Sequence, residues 1–176
     1  MRLTLISSLL ALTCMPALAV AQNDPVSDAF RVIVKRVERR LIASAEEMPA
    51  AKYGYKPTAP QMTFAEAVVH VADGNDDLAT VISGVKAPAR TKLSPTDSKE
   101  RLVERLKETF AWCDHVYATL HDRSLADSVD AGDGTNETRV QAMMDAAGHW
   151  ADHYSQLAIY LRLNGLIPPT ATDPNM

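Results

Sequence analysis

His149 and His153 stand four residues apart near the end of the chain, and His70 stands alone in its first half. Histidines at i and i+4 of a helix project the same way, with β-carbons about 5–6 Å apart, close enough for both imidazoles to reach one ion. Neutral imidazole suits zinc, nickel, copper or iron(II), and three protein ligands leave a coordination position for water or a small molecule. The pair lacks the zinc-protease pattern, which needs Glu directly after the first histidine, where this chain has Trp150. On spacing alone, His70 reads first as a hydrogen-bonded boundary residue and the pair as semi-buried surface; a shared metal is the alternative. Carboxylates spaced to orient the rings are Asp145, one turn before His149, and Asp73 or Asp77 near His70.

Other chemistry-bearing residues have simpler readings. His115 points away from the apolar face of its segment and is expected in solvent, while His121 ends that segment and suits the negative end of a helix. Cys113 falls within the apolar face, where a thiol is inert. Asp73-x-Asn75-x-Asp77 imitates the start of a calcium loop, but Leu78 stands where glycine is required and Gly84 where the bidentate glutamate belongs. Asn136-Glu137-Thr138 is a glycosylation sequon. Arg162 and Tyr160 read equally as residues that help bind a substrate and as helix-surface residues covering the edge of a bundle.

Four segments with apolar residues at three- and four-residue intervals must position these groups. The first opens at Asp24-Pro25, a cap followed by proline, and runs to about Met48, with Phe30, Ile33, Val34, Val37 and Leu41 on its stripe. The second opens with the capping box Thr63-x-x-Glu66 and ends near Ser83-Gly84; Phe64, Val68, Val71, Leu78 and Ile82 form its arc, His70 lies at the edge, and Gly74 leaves space one turn later. The third is expected from Ser94-Pro95-Thr96-Asp97, carrying Leu102, Val103, Leu106, Phe110, Cys113, Val116, Tyr117 and Leu120 on one face. The fourth runs from Thr138 to Asn164 and stops at Gly165, with Pro168-Pro169 beyond.

At about 100° per residue, the arc of the fourth helix is expected to centre near Ala147, with Val140, Met144, Ala151, Tyr154, Ala158 and Leu161. His149 and His153 then lie on its flank beside Gln156 and Tyr160. Edges of two packed helices converge at the mouth of the groove between them, so the three imidazoles can meet there. Strand signals are scarce, and Asp133-Gly134 is flanked by polar residues rather than β-branched runs. The fold class is therefore all-α, a four-helix bundle over residues 22–169. The long connection from His121 to Asn136 is expected to cross an end or cover a site, and residues 170–176 form a loose tail.

Residues 1–21 have the layout of a cleavable signal peptide: Arg2, the apolar stretch Leu3 to Leu12, and the small-residue run Ala17-Leu18-Ala19-Val20-Ala21. The stretch is shorter than the roughly 20 residues needed to span a bilayer, so no stable membrane insertion is expected after its removal. Cys14 lacks the preceding residue order of a lipidated cysteine. The chain is expected to be exported, to the periplasm or the medium. Its length of 176 residues leaves one domain with a substantial core, and the mature part keeps a single cysteine, which excludes an intrachain disulfide. With 18 Lys and Arg against 22 Asp and Glu and no basic block, nucleic-acid binding is excluded; a homodimer is allowed.

Three blocks resemble the DinB-like (DinB/YfiT) superfamily: Met48-Pro49 through Tyr53-Gly54-Tyr55-Lys56-Pro57, Thr63-Phe64-Ala65-Glu66 through His70-Val71-Ala72-Asp73 and Asn75, and His149-Trp150-Ala151-Asp152-His153-Tyr154-Ser155-Gln156 running into Tyr160 through Pro169. The last block is the most specific. The resemblance implies a four-helix bundle in which a histidine of the second helix joins two from H-x-x-x-H on the last to bind one divalent ion, often zinc or nickel; here these are His70, His149 and His153. Some relatives are thiol-dependent transferases or isomerases of the cytoplasm, a setting from which an exported chain departs. The expected function is that of a metal-dependent enzyme, of hydrolase or thiol-dependent transferase type, acting on a small molecule outside the cytoplasm. The alternative is a non-catalytic metal- or ligand-binding envelope protein. No residue stands out as a general base.

Overall fold

The computed structural model describes residues 23–132, 134–173 and 176; the expected leader, residues 1–21, lies outside them. In chain order the elements are α1 (Pro25–Glu47), α2 (Phe64–Ser83), α3 (Lys99–Tyr117), β1 (Ser128–Asp130), β2 (Asn136–Thr138), α4 (Arg139–Leu163) and α5 (Pro169–Thr172). The four long helices form the bundle. α1 packs on α3 and α4, and α2 packs on the same two, so the histidine-bearing helices α2 and α4 are neighbours around the ring. They run antiparallel, since Met62 meets Tyr160 at one end and the Arg139 guanidinium bonds the Ile82 carbonyl at the other. No helix among the described residues is long and apolar enough to cross a membrane.

The start and stop signals mostly act as the sequence predicts. Thr63 and Glu66 close a full capping box on α2, and Gly84 ends it at φ 75°, the left-handed conformation that glycine adopts without steric cost. α4 carries a second capping box, Thr138 with Gln141. The third helix begins later than expected. Ser94 to Asp97 instead close a turn, in which the Asp97 amide donates to the Ser94 carbonyl and the Ser94 amide to the Asp97 carboxylate, and Pro95 sets the turn's φ. Ser98 then caps α3 through the Arg101 amide.

The buried face of α4 is also rotated from the expected arc. It comprises Ala142, Met143, Ala146, Trp150, Leu157, Ala158, Tyr160 and Leu161, while Met144 and Ala151 face solvent. Trp150 decides this. Its ring is fully buried between Phe30 and Phe110, each with centroids 6.1 Å away, and Phe30 in turn meets Tyr117 edge-on at 5.1 Å. The Trp150 indole N–H donates to Asn75 Oδ1 at 2.8 Å, and Asn75 Nδ2 donates to Thr109 Oγ1 at 3.1 Å. One satisfied amide thus ties α2, α3 and α4 together in the core.

The connection after α3 crosses one end of the bundle and contains strands that the sequence does not announce. Three pairs, Ser128 with Thr138, Val129 with Glu137 and Asp130 with Asn136, make an antiparallel hairpin too short for a period-2 signal, with Val129 the one buried residue of these six. The start of the tail is likewise more ordered than expected. Pro169 opens the single turn of α5, and both the amide and the hydroxyl of Thr170 bond to the Tyr154 hydroxyl.

Asp24 does not cap its own helix through its side chain. Its carboxylate accepts from His121 Nδ1 at 2.7 Å and from the Asp122 amide at 2.8 Å, so the partner of His121 is this carboxylate rather than a helix end. Asp122 returns the bond, accepting from the amides of Val26 and Ser27 and from the Ser27 hydroxyl. The hydrogen bond from His121, then that from the Asp122 amide, holds the Asp24 carboxyl below its ordinary 3.8. For Asp122, burial pushes upward, but the Ser27 and Val26 amides and the Ser27 hydroxyl outweigh it. Depressed carboxyls contribute stability that is complete above the unfolded value and is lost as pH falls through the folded one. Urea unfolding of Asp122→Ala is therefore expected to show a deficit against wild type at pH 7 that narrows below about pH 4.

Candidate metal centre

His70 comes from the edge of α2, and His149 and His153 from the flank of α4 that Trp150 turns toward the groove. The structure brings all three together: one ligand nitrogen from each lies within 4.8 Å of the other two. Ring centroids are separated by 5.1 Å (His70 to His149), 4.7 Å (His70 to His153) and 4.5 Å (His149 to His153). His70 is exposed and the other two are half-buried, so the cluster opens to solvent on its α2 side.

Burial keeps the two α4 rings neutral. Burial, followed by the nearby His153 and His70, pushes the His149 imidazole down to about 4. His153 is lowered by burial as well, against the opposing hydrogen bond to Gln156. At neutral pH both rings keep a lone pair for an electrophile. His149 Nε2 is buried and has no hydrogen-bond partner. An aromatic nitrogen left so is costly unless something electron-poor sits against it.

Gly74 makes that position possible. A β-carbon there would lie 3.2 Å from His149 Nε2 and 3.7 Å from Cε1. The space the sequence assigned to Gly74 thus borders the orphaned nitrogen itself.

The carboxylates expected behind the rings do not take that place. Among the described residues no hydrogen bond joins Asp145 to His149, or Asp73 or Asp77 to His70. Asp73 instead lines a cleft with Asp76, Arg90 and Arg105, where burial raises its carboxyl, and Asp77 lines another with Lys86 and Gly132. The group that orients a ring is Gln156, whose Oε1 lies 3.0 Å from His153 Nδ1. Tyr160 is buried rather than on the helix surface, and links Gln156 to the Met62 carbonyl. The i, i+3 spacing of His153 and Gln156 and the i, i+4 spacing of Gln156 and Tyr160 carried that signal.

The remaining candidates fall where the sequence placed them. His115 is exposed, and Cys113 is fully buried, its thiol pushed by burial up to about 12. Asn75, the middle of the apparent calcium loop, is fully enclosed and committed to Trp150 and Thr109.

The fold is shared with several solved structures. A DinB-like protein from Bacillus cereus superposes with a TM-score of 0.68 at 14% identity, covering 81% of this chain and 95% of that one. A DinB-like protein from Bacillus subtilis gives 0.64 at 20% identity, covering 78% and 92%. A mycothiol-dependent maleylpyruvate isomerase, in a histidine-to-alanine mutant form, gives 0.61 at 11% identity, covering 74% of this chain and 60% of the isomerase chain. No curated protein matches in sequence. The sequence model of the DinB superfamily matches residues 33–157, which take in most of α1, all of α2 and α3, and the part of α4 that bears His149 and His153. The chain belongs to the DinB superfamily.

Proposed function

We propose that His70, His149 and His153 hold one divalent ion, zinc or nickel, and that the protein is a metal-dependent enzyme acting on a small molecule outside the cytoplasm. The observation that carries this reading is the buried, unpartnered His149 Nε2 within a cluster whose ligand nitrogens lie within 4.8 Å of one another. The donor set fits: three imidazoles, two held neutral by burial, suit a borderline-soft cation. Bound there, a divalent ion would supply Lewis acidity toward a small ligand. The chain contributes the exposed His70 side for access and the wall of α4 that keeps solvent from the back of the site.

An open site with three ligands favours catalysis over the non-catalytic alternative, which calls for a closed one. The fold shared with a mycothiol-dependent isomerase makes a thiol-dependent reaction one of the two types to assay, hydrolysis being the other. The leader-like residues 1–21 support export, and a mature chain starting near Gln22 in the extracytoplasmic fraction is the corresponding expectation.

Elemental analysis of purified, zinc- or nickel-loaded protein is expected to return about one ion per chain, with removal by chelator lowering the unfolding temperature. A protein that stays metal-free after loading would overturn the reading. Gly74→Ala separates binding from stability. It relieves the helix of about 0.8–1.0 kcal/mol of glycine penalty, yet crowds His149 Nε2. The apo variant should unfold at equal or higher urea, while zinc affinity in a chelator competition falls by about 10-fold or more.

A further inference from the structure

Resting on the metal reading above, we infer that Gln156 and Tyr160 are positioning residues: a hydrogen-bond relay anchored on the Met62 carbonyl fixes His153 as its Nδ1–H tautomer and so presents Nε2 to the ion. The direction of each bond follows from the groups themselves. The Met62 carbonyl only accepts, so the single hydroxyl proton of Tyr160 is donated to it, at 2.8 Å. The Tyr160 oxygen is then left to accept, and its partner at 3.2 Å is the Gln156 amide, which can donate only through Nε2. Gln156 therefore turns Oε1, a pure acceptor, toward His153 Nδ1 at 3.0 Å.

An acceptor at that distance requires the proton on Nδ1. A neutral imidazole carries one proton, so the lone pair of His153 resides on Nε2, the same atom that His149 leaves buried and unpartnered. Burial of Tyr160 at 1% exposure keeps water from competing for its hydroxyl. Met62 directly precedes Thr63, the cap of α2, so the relay also ties the orientation of His153 to the helix that carries His70. The tautomer is thereby set before any ion arrives, which removes an ordering step from binding.

The test uses three variants of the purified protein, Tyr160→Phe, Gln156→Leu and Gln156→Glu, with two readouts. Long-range 15N–1H spectra of the metal-free protein at neutral pH report the His153 tautomer, and zinc alone, titrated against a chelator, reports affinity. Wild type should show Nδ1–H at His153. Tyr160→Phe and Gln156→Leu should show a tautomer mixture and bind zinc about 10- to 100-fold more weakly, the usual effect of losing an outer-shell partner. Gln156→Glu keeps an acceptor facing Nδ1 and should retain both the tautomer and near-wild-type affinity. A wild-type Nε2–H tautomer, or an unchanged tautomer in Tyr160→Phe, overturns the relay. Mixed tautomers with unchanged zinc affinity overturn its positioning role. Wild type that binds neither zinc nor nickel while its His153 stays Nδ1–H overturns the metal reading, and with it the role of the relay toward an ion, which separates that failure from failure of the relay itself.

Discussion

His149→Ala is expected to weaken zinc or nickel binding by about 100- to 1,000-fold, the loss of one of three protein ligands. His115→Ala and His121→Ala should leave affinity unchanged, because neither ring is part of the cluster. Stability should move the other way. The metal-free protein holds His149 Nε2 buried without a partner, a burden of about 1–3 kcal/mol for a fully enclosed group and less here because the ring is half-buried. Metal-free His149→Ala should thus unfold at the same urea concentration as wild type or higher. A loss of both binding and fold would show instead that the histidine is a packing residue.

The protonation of His149 sharpens the same expectation. With the imidazole held at about 4 rather than 6.5, the unfolded chain takes up a proton that the folded one refuses between those values. That difference favours unfolding on acidification, so wild type should lose stability from about pH 6.5 to 4 and His149→Ala should lose less. Chelator competition across pH and urea unfolding across the same range read the two halves.

Trp150→Ala is expected to destabilise the protein by about 3–5 kcal/mol, the range for deleting a large aromatic from a packed core. It removes a fully buried ring from between Phe30 and Phe110 and leaves Asn75 Oδ1 without its donor. Against the roughly 5–15 kcal/mol that holds an ordinary domain together, that is a large fraction. Trp150→Phe separates the two parts: it keeps much of the packing but strands the Asn75 acceptor, for about 1–3 kcal/mol. Urea unfolding of both variants gives the division. If Trp150→Ala costs under about 1 kcal/mol, the core is not organised around this residue.

The frame of the molecule was legible wherever a signal is local. Thr63 with Glu66, Pro25, Gly84 and Gly165 each act within a few residues, and each does what its chemistry predicts. The meeting of the three histidines was legible because spacing on one helix and an edge position on another survive small errors of rotation, while their reading as one ligand set came from the family resemblance. What failed depended on distant partners. The rotation of α4 is not set locally, because apolar residues lie on both sides of it: Met144, Ile159 and Leu163 are exposed, and only the bulk of Trp150, matched to Phe30 and Phe110, selects the inner face. Spacing puts Tyr160 beside Gln156, but nothing near it in sequence shows that the Met62 carbonyl awaits its hydroxyl. Ser94 and Ser98 offer equally good caps, and only the turn closed by Asp97 chooses between them.

The clamp between Asp24 and Asp122 sets a limit on modularity. The amides of Val26 and Ser27 that open α1 are satisfied by a carboxylate 96 and 95 residues further on, beyond the end of α3, and the reciprocal bond crosses 98 residues. A fragment ending at Tyr117 would contain three complete helices by sequence and yet lack both His121 and Asp122. The bundle therefore has no self-sufficient amino-terminal half: the order of its first turn is conferred from the connection that precedes the last helix, and the chain closes on itself as a unit.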